Sequence, residues 1–279
     1  MDYIHVKCDS QQYVACTKYI AADADKVVII VPATGVLQSF YRPMASFFMR
    51  NAISVITFDY SGIGKSLNGS IKNETCRIAD WGCSNLEAVI RYTRVNLPHH
   101  KIILLGHSIG GQLIGLAPSS VFVDKIILIA AQSGYWKFWK GINRIRMWLN
   151  WYLLVPVFTK VYGYLPAKMI SRMEHLPGRV AKEWADWCRN SNYLFGHITV
   201  DNLHFSKIKC KLTSISISDD FFAPEQSVEW LTAKYVNAER KRLHFIPENF
   251  GVSKIGHFSL FTEKFGNSIW NILFTEVIN

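Results

Sequence analysis

The sequence predicts an α/β fold: a mostly parallel central sheet with helices on both faces. Three observations predict it. The runs at residues 27–31 and 102–105 are wholly apolar, and those at 53–58 and 123–130 largely so. Short apolar runs without polar alternation are the pattern of strands buried on both faces. Segments of helical spacing lie between these runs, which is the rhythm of parallel strands joined by crossover helices. Lastly, Gly106-His107-Ser108-Ile109-Gly110 joins an apolar run to a segment that continues as a short helix up to Pro118.

Taken in order, residues 3–20 alternate enough for two antiparallel strands joined near Asp9-Ser10-Gln11. The strand at 27–31 ends in the loop Pro32-Ala33-Thr34-Gly35. Phe40, Met44, Phe47 and Phe48 give residues 40–51 one apolar helical face. The strand at 53–58 runs into Asp59-Tyr60-Ser61-Gly62-Ile63-Gly64-Lys65-Ser66. A helix over 79–96 turns Trp81, Leu86, Val89, Ile90 and Tyr92 inward. The rhythm breaks over residues 135–205, where no clean strand appears and Pro156, Pro166 and Pro177 cut the chain into short helices. It resumes with a strand at 212–218, a helix at 224–235, a strand at 242–246 and a last helix at 258–275. Residues 1–134 and 206–279 therefore read as one core, and residues 135–205 as a helical insertion.

With 279 residues, 49% hydrophobic and 19% charged, the chain has ample material for one large globular domain. Six cysteines show no paired zinc or redox spacing. The opening Met1-Asp-Tyr-Ile-His-Val-Lys lacks a basic region followed by an apolar one, so no signal peptide and a reducing, cytoplasmic setting are expected. No apolar run approaches the roughly 18 residues of a membrane span. The net charge of +10 favours anionic partners, among them nucleic acid, membrane surfaces and acidic substrates. No recognition motif supports nucleic acid.

A serine flanked by glycines two residues before and two after, between a strand and a helix, is the pattern of a nucleophile elbow. The turn is so tight that side chains at positions 106 and 110 would strike the neighbouring strand and helix. Without them Ser108 can hold a strained backbone with its hydroxyl above the sheet. The N–H of Ile109 then points into the same space as an oxyanion donor. A second donor is expected from the loop after the 27–31 strand, and Thr34 N–H is its best candidate. A serine hydroxyl needs a base, and the base an orienting acid, arriving in the order serine, acid, histidine. Two aspartates, Asp219 and Asp220, follow the 212–218 strand, and adjacent side chains off an extended strand point opposite ways, so only one can serve. His257 follows the last strand. His99 and His100 lie at the wrong end of the sheet, His244 within a strand, His197 and His204 in the insertion, and His107 packs beneath the turn. Asp59 shapes its own turn. Gly62-Ile63-Gly64-Lys65-Ser66 lacks the four-residue gap of a phosphate loop, and no metal-ligand spacing or nicotinamide fingerprint appears, so no cofactor and no metal are expected.

Val31-Pro-Ala-Thr, the Asp59-to-Ser66 turn, Gly106-His-Ser-Ile-Gly-Gly, Asp220-x-x-x-Pro224 and Gly256-His257 together resemble the α/β-hydrolase superfamily, in order and over nearly the whole chain. The likeness is nearest to its monoglyceride-lipase-like and serine-aminopeptidase-like branch. Pro-Ala-Thr-Gly, Gly-Tyr-Trp, Gly-Tyr-Leu-Pro, Glu-Trp-Ala-x-Trp-Cys and Asp-Asp-x-Phe-Ala-Pro also look like a bacterial group of predicted α/β hydrolases. The resemblance implies an α/β-hydrolase fold and a Ser108, Asp220, His257 triad. Its acid stands four residues before a proline, which selects Asp220. Many members have His-Gly where this chain has Pro32-Ala33; the backbone donor at Thr34 survives that change.

The insertion then lies above the carboxyl ends of the strands, as a lid. It holds six of the nine tryptophans, and ten Lys/Arg against four Asp/Glu. Trp136, Trp139, Trp148 and Trp151 are the candidate substrate-binding aromatics. Facing inward they form a dry acyl pocket; facing outward among the cations they meet a membrane surface; or they bury the insertion's own core. The expected activity is hydrolysis of a small to medium hydrophobic carboxylic ester. Peptide or other amide hydrolysis, thioester hydrolysis or acyl transfer by the same triad, or a non-catalytic binding role, are the alternatives.

Overall fold

The structure, a computed structural model, describes residues 1–8, 12–169, 171 and 173–279. Its strands are β1 (Asp2–Lys7), β2 (Tyr13–Tyr19), β3 (Lys26–Val31), β4 (Ser54–Phe58), β5 (Lys101–His107), β6 (Lys125–Ile129), β7 (Tyr164–Leu165), β8 (Leu176–Pro177), β9 (Lys211–Ile217) and β10 (Glu239–Phe245). Its α-helices are α1 (Arg42–Arg50), α2 (Ile78–Asp80), α3 (Glu87–Asn96), α4 (Ile109–Leu113), α5 (Gly141–Leu149), α6 (Val155–Tyr162), α7 (Gly178–Arg189), α8 (Glu225–Thr232) and α9 (Ile269–Ile278). Eight strands form one sheet in the order β1-β2-β4-β3-β5-β6-β9-β10. β1 and β2 are antiparallel to each other, β2 to β4, and the remaining six strands run parallel. The turn expected near Asp9-Ser10-Gln11 lies outside the described residues.

The parallel strands are buried because each face meets helices. Val27, Ile29 and Val31 of β3 pack with Trp81, Val89 and Ile90 on one side. Val28 and Ile30 pack with Met44 and Phe48 of α1 on the other, in the core that also takes Trp270 and Leu273 of α9. The alternation of β3 between two cores is what makes its sequence read as one apolar run. Residues 135–205 leave the sheet after β6 and return before β9. Their buried side chains, among them Trp151, Val180 and Trp187, join the first of these cores.

Several elements differ from the sequence expectation. The buried face of α1 is Met44, Ala45 and Phe48, with Tyr41 just before it, while Phe40 and Phe47 are half-buried. The 79–96 helix contains a wide π-turn, Trp81–Leu86, and Tyr92 is only half-buried. β10 starts three residues early because Glu239-Arg-Lys-Arg is its exposed, charged opening, and charge suits an edge strand. Residues 258–268 form two 3-10 turns before α9 begins at Ile269, with the Trp270 indole N–H donating to Leu260 O at 2.7 Å. The insertion is not purely helical: β7 and β8 make a two-residue antiparallel pair. Among the described residues no helix is long and apolar enough to cross a membrane.

The last helix is tied to the sheet by a buried carboxylate. Glu276 accepts from Thr213 Oγ1 at 2.7 Å and Lys241 Nζ at 2.6 Å, and lies 3.5 Å from Lys125 Nζ. Burial alone would raise its pKa, but the Lys241 and Thr213 hydrogen bonds and the Lys125 charge hold it below the usual carboxylate value. Removing that charge leaves the buried Lys125 ammonium unpaired. We predict that Glu276→Gln lowers unfolding free energy by about 3 kcal/mol, read as a shifted urea midpoint with unchanged slope. A shift of a few tenths would mean that the pair does not anchor α9.

Candidate active site

β5 ends at His107 and α4 starts at Ile109, so a single residue, Ser108, makes the turn. Its backbone takes φ 53° and ψ −119°, a conformation that costs a non-glycine residue roughly 1–3 kcal/mol. The flanking glycines are required by contact. A Cβ at Gly106 would lie 2.5 Å from Gly111 Cα. One at Gly110 would overlap the Val31 carbonyl and stand 2.7 Å from that of Pro32. The elbow is thus pressed against the end of β3 and the start of the loop that follows it.

That loop, Pro32-Ala33-Thr34-Gly35, is held by two buried tyrosines. Tyr60 O–H donates to the Pro32 carbonyl at 3.1 Å, and Ala33 N–H donates to the Tyr41 oxygen at 2.9 Å. Among the described residues, neither Thr34 N–H nor Ile109 N–H has a protein acceptor, and the buried Thr34 hydroxyl has no partner. At Ile109 this follows from position, since the first N–H groups of a helix have none within it. Two backbone donors and one hydroxyl are thus without a protein partner among the described residues.

The two aspartates after β9 divide the work. Asp220 Oδ2 stands 2.7 Å from His257 Nδ1, while its Oδ1 accepts from the N–H groups of Phe222 (2.8 Å) and Ala223 (3.1 Å). Asp219 accepts from the N–H groups of Ile255 (3.1 Å) and Gly256 (3.0 Å), fixing the backbone that leads to His257. Gly256, at φ 61°, makes the bend that turns the histidine inward. A carboxylate only accepts, so Nδ1 carries the proton and donates it to Asp220. Asp59 accepts from Gln38 N (2.8 Å) and Lys65 N (2.9 Å), so it braces its own turn.

His107 joins these parts. Its Nε2 lies 3.0 Å from the His257 carbonyl, which can only accept, so Nε2 carries the proton. Nδ1 is then the acceptor for Tyr41 O–H at 2.8 Å. Burial drives the imidazolium far down, the nearby His257 adds to that, and burial drives the Tyr41 phenol up, so both stay neutral. The result is one chain: Ala33 N–H to Tyr41, Tyr41 to His107, His107 to His257 C=O. It links the loop after β3, the residue before Ser108 and the histidine loop.

Residues 28–252 match the alpha/beta hydrolase family. The chain belongs to it. Solved structures with the same fold include a soluble variant of monoglyceride lipase from Saccharomyces cerevisiae in complex with a substrate analogue. It has a TM-score of 0.72 at 12% identity and covers 99% of this chain and 94% of that one. An esterase from Exiguobacterium antarcticum gives 0.61 at 14% identity, covering 99% of each chain. The Pyrococcus furiosus esterase Pf2001 gives 0.59 at 14%, covering 98% and 92%. At such identities the likeness carries the fold. No curated protein matches the chain in sequence.

In this hydrolase the four candidate tryptophans do not form one cluster, although Trp136 and Trp148 both meet the Tyr152 ring, at 6.3 Å and 5.3 Å. Trp151 is buried edge-on against Trp184, with ring centroids 4.8 Å apart. Trp139 is buried, and its indole N–H donates to the Phe221 carbonyl beside Asp220 at 2.8 Å. Trp136 is half-buried, and Trp148 is exposed, stacked on Tyr152. Two phenylalanines do stand beside the histidine: Phe258, with its ring 4.8 Å from that of His257, and Phe222, 5.4 Å away with its side chain partly open to solvent. Phe222 is the phenylalanine of the motif Asp-Asp-x-Phe-Ala-Pro, which the sequence offered as a likeness and not as a binding residue. A surface cleft of about 650 Å³, lined by His5, Tyr13, Lys65, Asn73 and Glu74 among others, touches none of the residues assigned above. Among the described residues no three His, Cys, Asp or Glu side chains are grouped to hold a metal ion.

Holding His107 neutral has a price in acid. The unfolded imidazole binds a proton below about pH 6.5, and the folded one does not. The stabilising contribution is therefore complete above that pH and shrinks as pH falls below it, by about 1.4 kcal/mol per pH unit for one proton. We predict that wild type shows this slope between about pH 6 and pH 5 in excess of His107→Asn. Parallel stability curves, from urea midpoints across that range, would show that His107 is not the group responsible.

Proposed function

We propose that this protein is a serine hydrolase that cleaves a small to medium hydrophobic carboxylic ester. The observation that carries the reading is the Asp220–His257 pair, bonded at 2.7 Å, with the His257 carbonyl held by His107, the residue before the strained Ser108. His257 Nε2 takes the Ser108 proton as Oγ attacks the ester carbonyl. The negative oxygen of the tetrahedral intermediate is met by Ile109 N–H, Thr34 N–H and the Thr34 hydroxyl, each such donor being worth roughly 3 kcal/mol in favourable cases. The intermediate collapses, His257 gives its proton to the leaving alcohol, and the acyl group stays on Ser108. Water then attacks with its proton passing to His257, and the acid departs from Ser108, which recovers the proton. Asp220 holds the imidazole tautomer and offsets its positive charge in both steps.

Residues 135–205 act in this reading as a lid. Two contacts support it. Trp139 bonds the Phe221 carbonyl in the acid loop, and Glu174 N–H donates to the Gly35 carbonyl in the oxyanion loop at 2.8 Å. The insertion is thereby tied to both sides of the site. Phe222 supplies apolar surface beside His257 for the acyl chain or leaving group. Two of the similar structures are named as esterases and one as a monoglyceride lipase. Buried thiols at Cys16, Cys76 and Cys188 accord with a reducing, cytoplasmic setting.

We predict that Ser108→Ala lowers kcat for p-nitrophenyl butyrate by at least about 10⁴-fold with an unchanged melting temperature. Asp220→Asn costs about 10⁴-fold, because the wrong tautomer is favoured, while Asp219→Asn, which only loosens the His257 loop, costs up to roughly 10²-fold. A reversal of those two losses would assign the acid to Asp219. Unchanged hydrolysis in Ser108→Ala would remove this serine from the reaction.

Chain-length preference tests the pocket. A buried methylene contributes about 0.8 kcal/mol, so four more carbons set a ceiling of roughly two hundredfold, and imperfect fit reduces it to about tenfold in kcat/KM from acetate to hexanoate. Phe222→Ala flattens that series. A flat series in wild type would direct the search to polar esters or amides.

A further inference from the structure

The outer face of the insertion is the least protein-like surface of the molecule. Of the twenty-three exposed large apolar side chains among the described residues, ten lie between Ile142 and Tyr162. They sit on one continuous helical run: α5, a π-turn (Asn150–Leu154), and α6. Trp151, Val155 and Thr159 of that run are buried toward the core. Leu149, Leu153, Val157 and Val161 repeat at the same four-residue interval, two positions off, and so face the other way. Ile142 and Ile145 extend the row at the amino end, and Val161 at the other end is 69% exposed. Twenty-two residues make a ridge on the order of 30 Å long.

Monomeric soluble proteins rarely leave an apolar patch of this extent uncovered. What covers it is indicated by charge. Lys137, Lys140, Arg144, Arg146 and Lys160 are exposed around the ridge, and the sequence has no Asp or Glu between Asp124 and Glu174. Among the described residues none of these five cations has a carboxylate within 4.0 Å. A second copy of this chain fits poorly there. A twofold contact sets each face against itself, so the cations would oppose cations with no carboxylate to offset them. An anionic lipid surface supplies both what the apolar row needs and what the cations need. The cations within the run also prevent it from spanning, so it lies in the interface.

We propose that the α5–α6 face docks this protein onto an anionic phospholipid surface, with the apolar row sunk at the headgroup boundary and the flanking lysines and arginines on the phosphates. The Trp148–Tyr152 stack, with rings 5.3 Å apart, lies in the belt where amphipathic aromatics are favoured. The proposal does not rest on the esterase reading, since it concerns a face directed away from Ser108's core.

The experiment is co-sedimentation of the full chain with vesicles of phosphatidylglycerol and phosphatidylcholine, or of phosphatidylcholine alone. We expect binding to the anionic vesicles that falls steeply as salt rises from about 0.05 M to about 0.5 M, and little binding to the neutral ones. The double variants Leu149→Ser/Leu153→Ser and Lys140→Glu/Lys160→Glu should each weaken it by at least about tenfold, with melting temperature and p-nitrophenyl acetate hydrolysis unchanged. Absence of binding to anionic vesicles at low salt overturns the proposal, as does binding indifferent to both variants. So does a wild-type dimer in sedimentation velocity that Leu149→Ser/Leu153→Ser turns into a monomer, because the face would then be covered by a second copy. Loss of hydrolysis in wild type would count against the esterase reading alone.

Discussion

The site depends on one close approach: the backbone of Gly110 against the carbonyls of Val31 and Pro32. Adjacent parallel strands, β3 and β5, bring the two segments together, and the missing side chain lets them touch. From that contact follow the left-handed backbone of Ser108, the unpaired N–H of Ile109, and the position of the loop bearing Thr34. A substituent at Gly110 would move the serine and its donors apart together. The strain is stored where the core resists relaxation, since His107 and Ile109 on either side of Ser108 are fully buried.

The second requirement is that the histidine loop, which comes from the far end of the chain, stays in register with that elbow. Two aspartates and one buried histidine achieve this in different ways. Asp220 grips the ring, Asp219 grips the two N–H groups before it, and His107 grips the carbonyl of the same residue. Tyr41 connects this grip to Ala33, so the backbone next to Thr34 and the backbone of His257 share a single neutral hydrogen-bond chain. Neutrality matters, because a charge at His107 would oppose the imidazolium that the proposed reaction requires at His257.

Much of this was legible in the sequence. The wholly apolar strands were readable because both their faces are buried, and the elbow because its glycines answer to sterics. The elbow at Ser108 and the pairing of Asp220 with His257 were readable from chain order and the family's acid-to-proline spacing, and Asp59 was readable as a turn brace. What escaped was set by long-range contact or by position at an edge. β10 opens with four charged residues, which periodicity assigns to a loop. Tyr41 lies one residue off the face that Phe40, Phe47 and Phe48 suggest, and its link to His107 spans 66 residues. The four tryptophans shared a composition and a segment, yet they point in different directions: Trp139 to the acid loop, Trp151 to the core, Trp148 outward. Residues 135–205 thus carry two surfaces that sequence alone merged, one bonded to the loops around Ser108 and one apolar and basic toward the outside.

The central claim is that Ser108 is a nucleophile activated by the Asp220–His257 pair. It is tested most directly by treating the intact protein with a fluorophosphonate and mapping the adduct by mass spectrometry. The account predicts a stoichiometric adduct on Ser108 that forms far more slowly in His257→Gln and in Asp220→Asn, while both variants keep the wild-type melt. An unlabelled protein, an adduct on another residue, or equal labelling rates in all three proteins would contradict it.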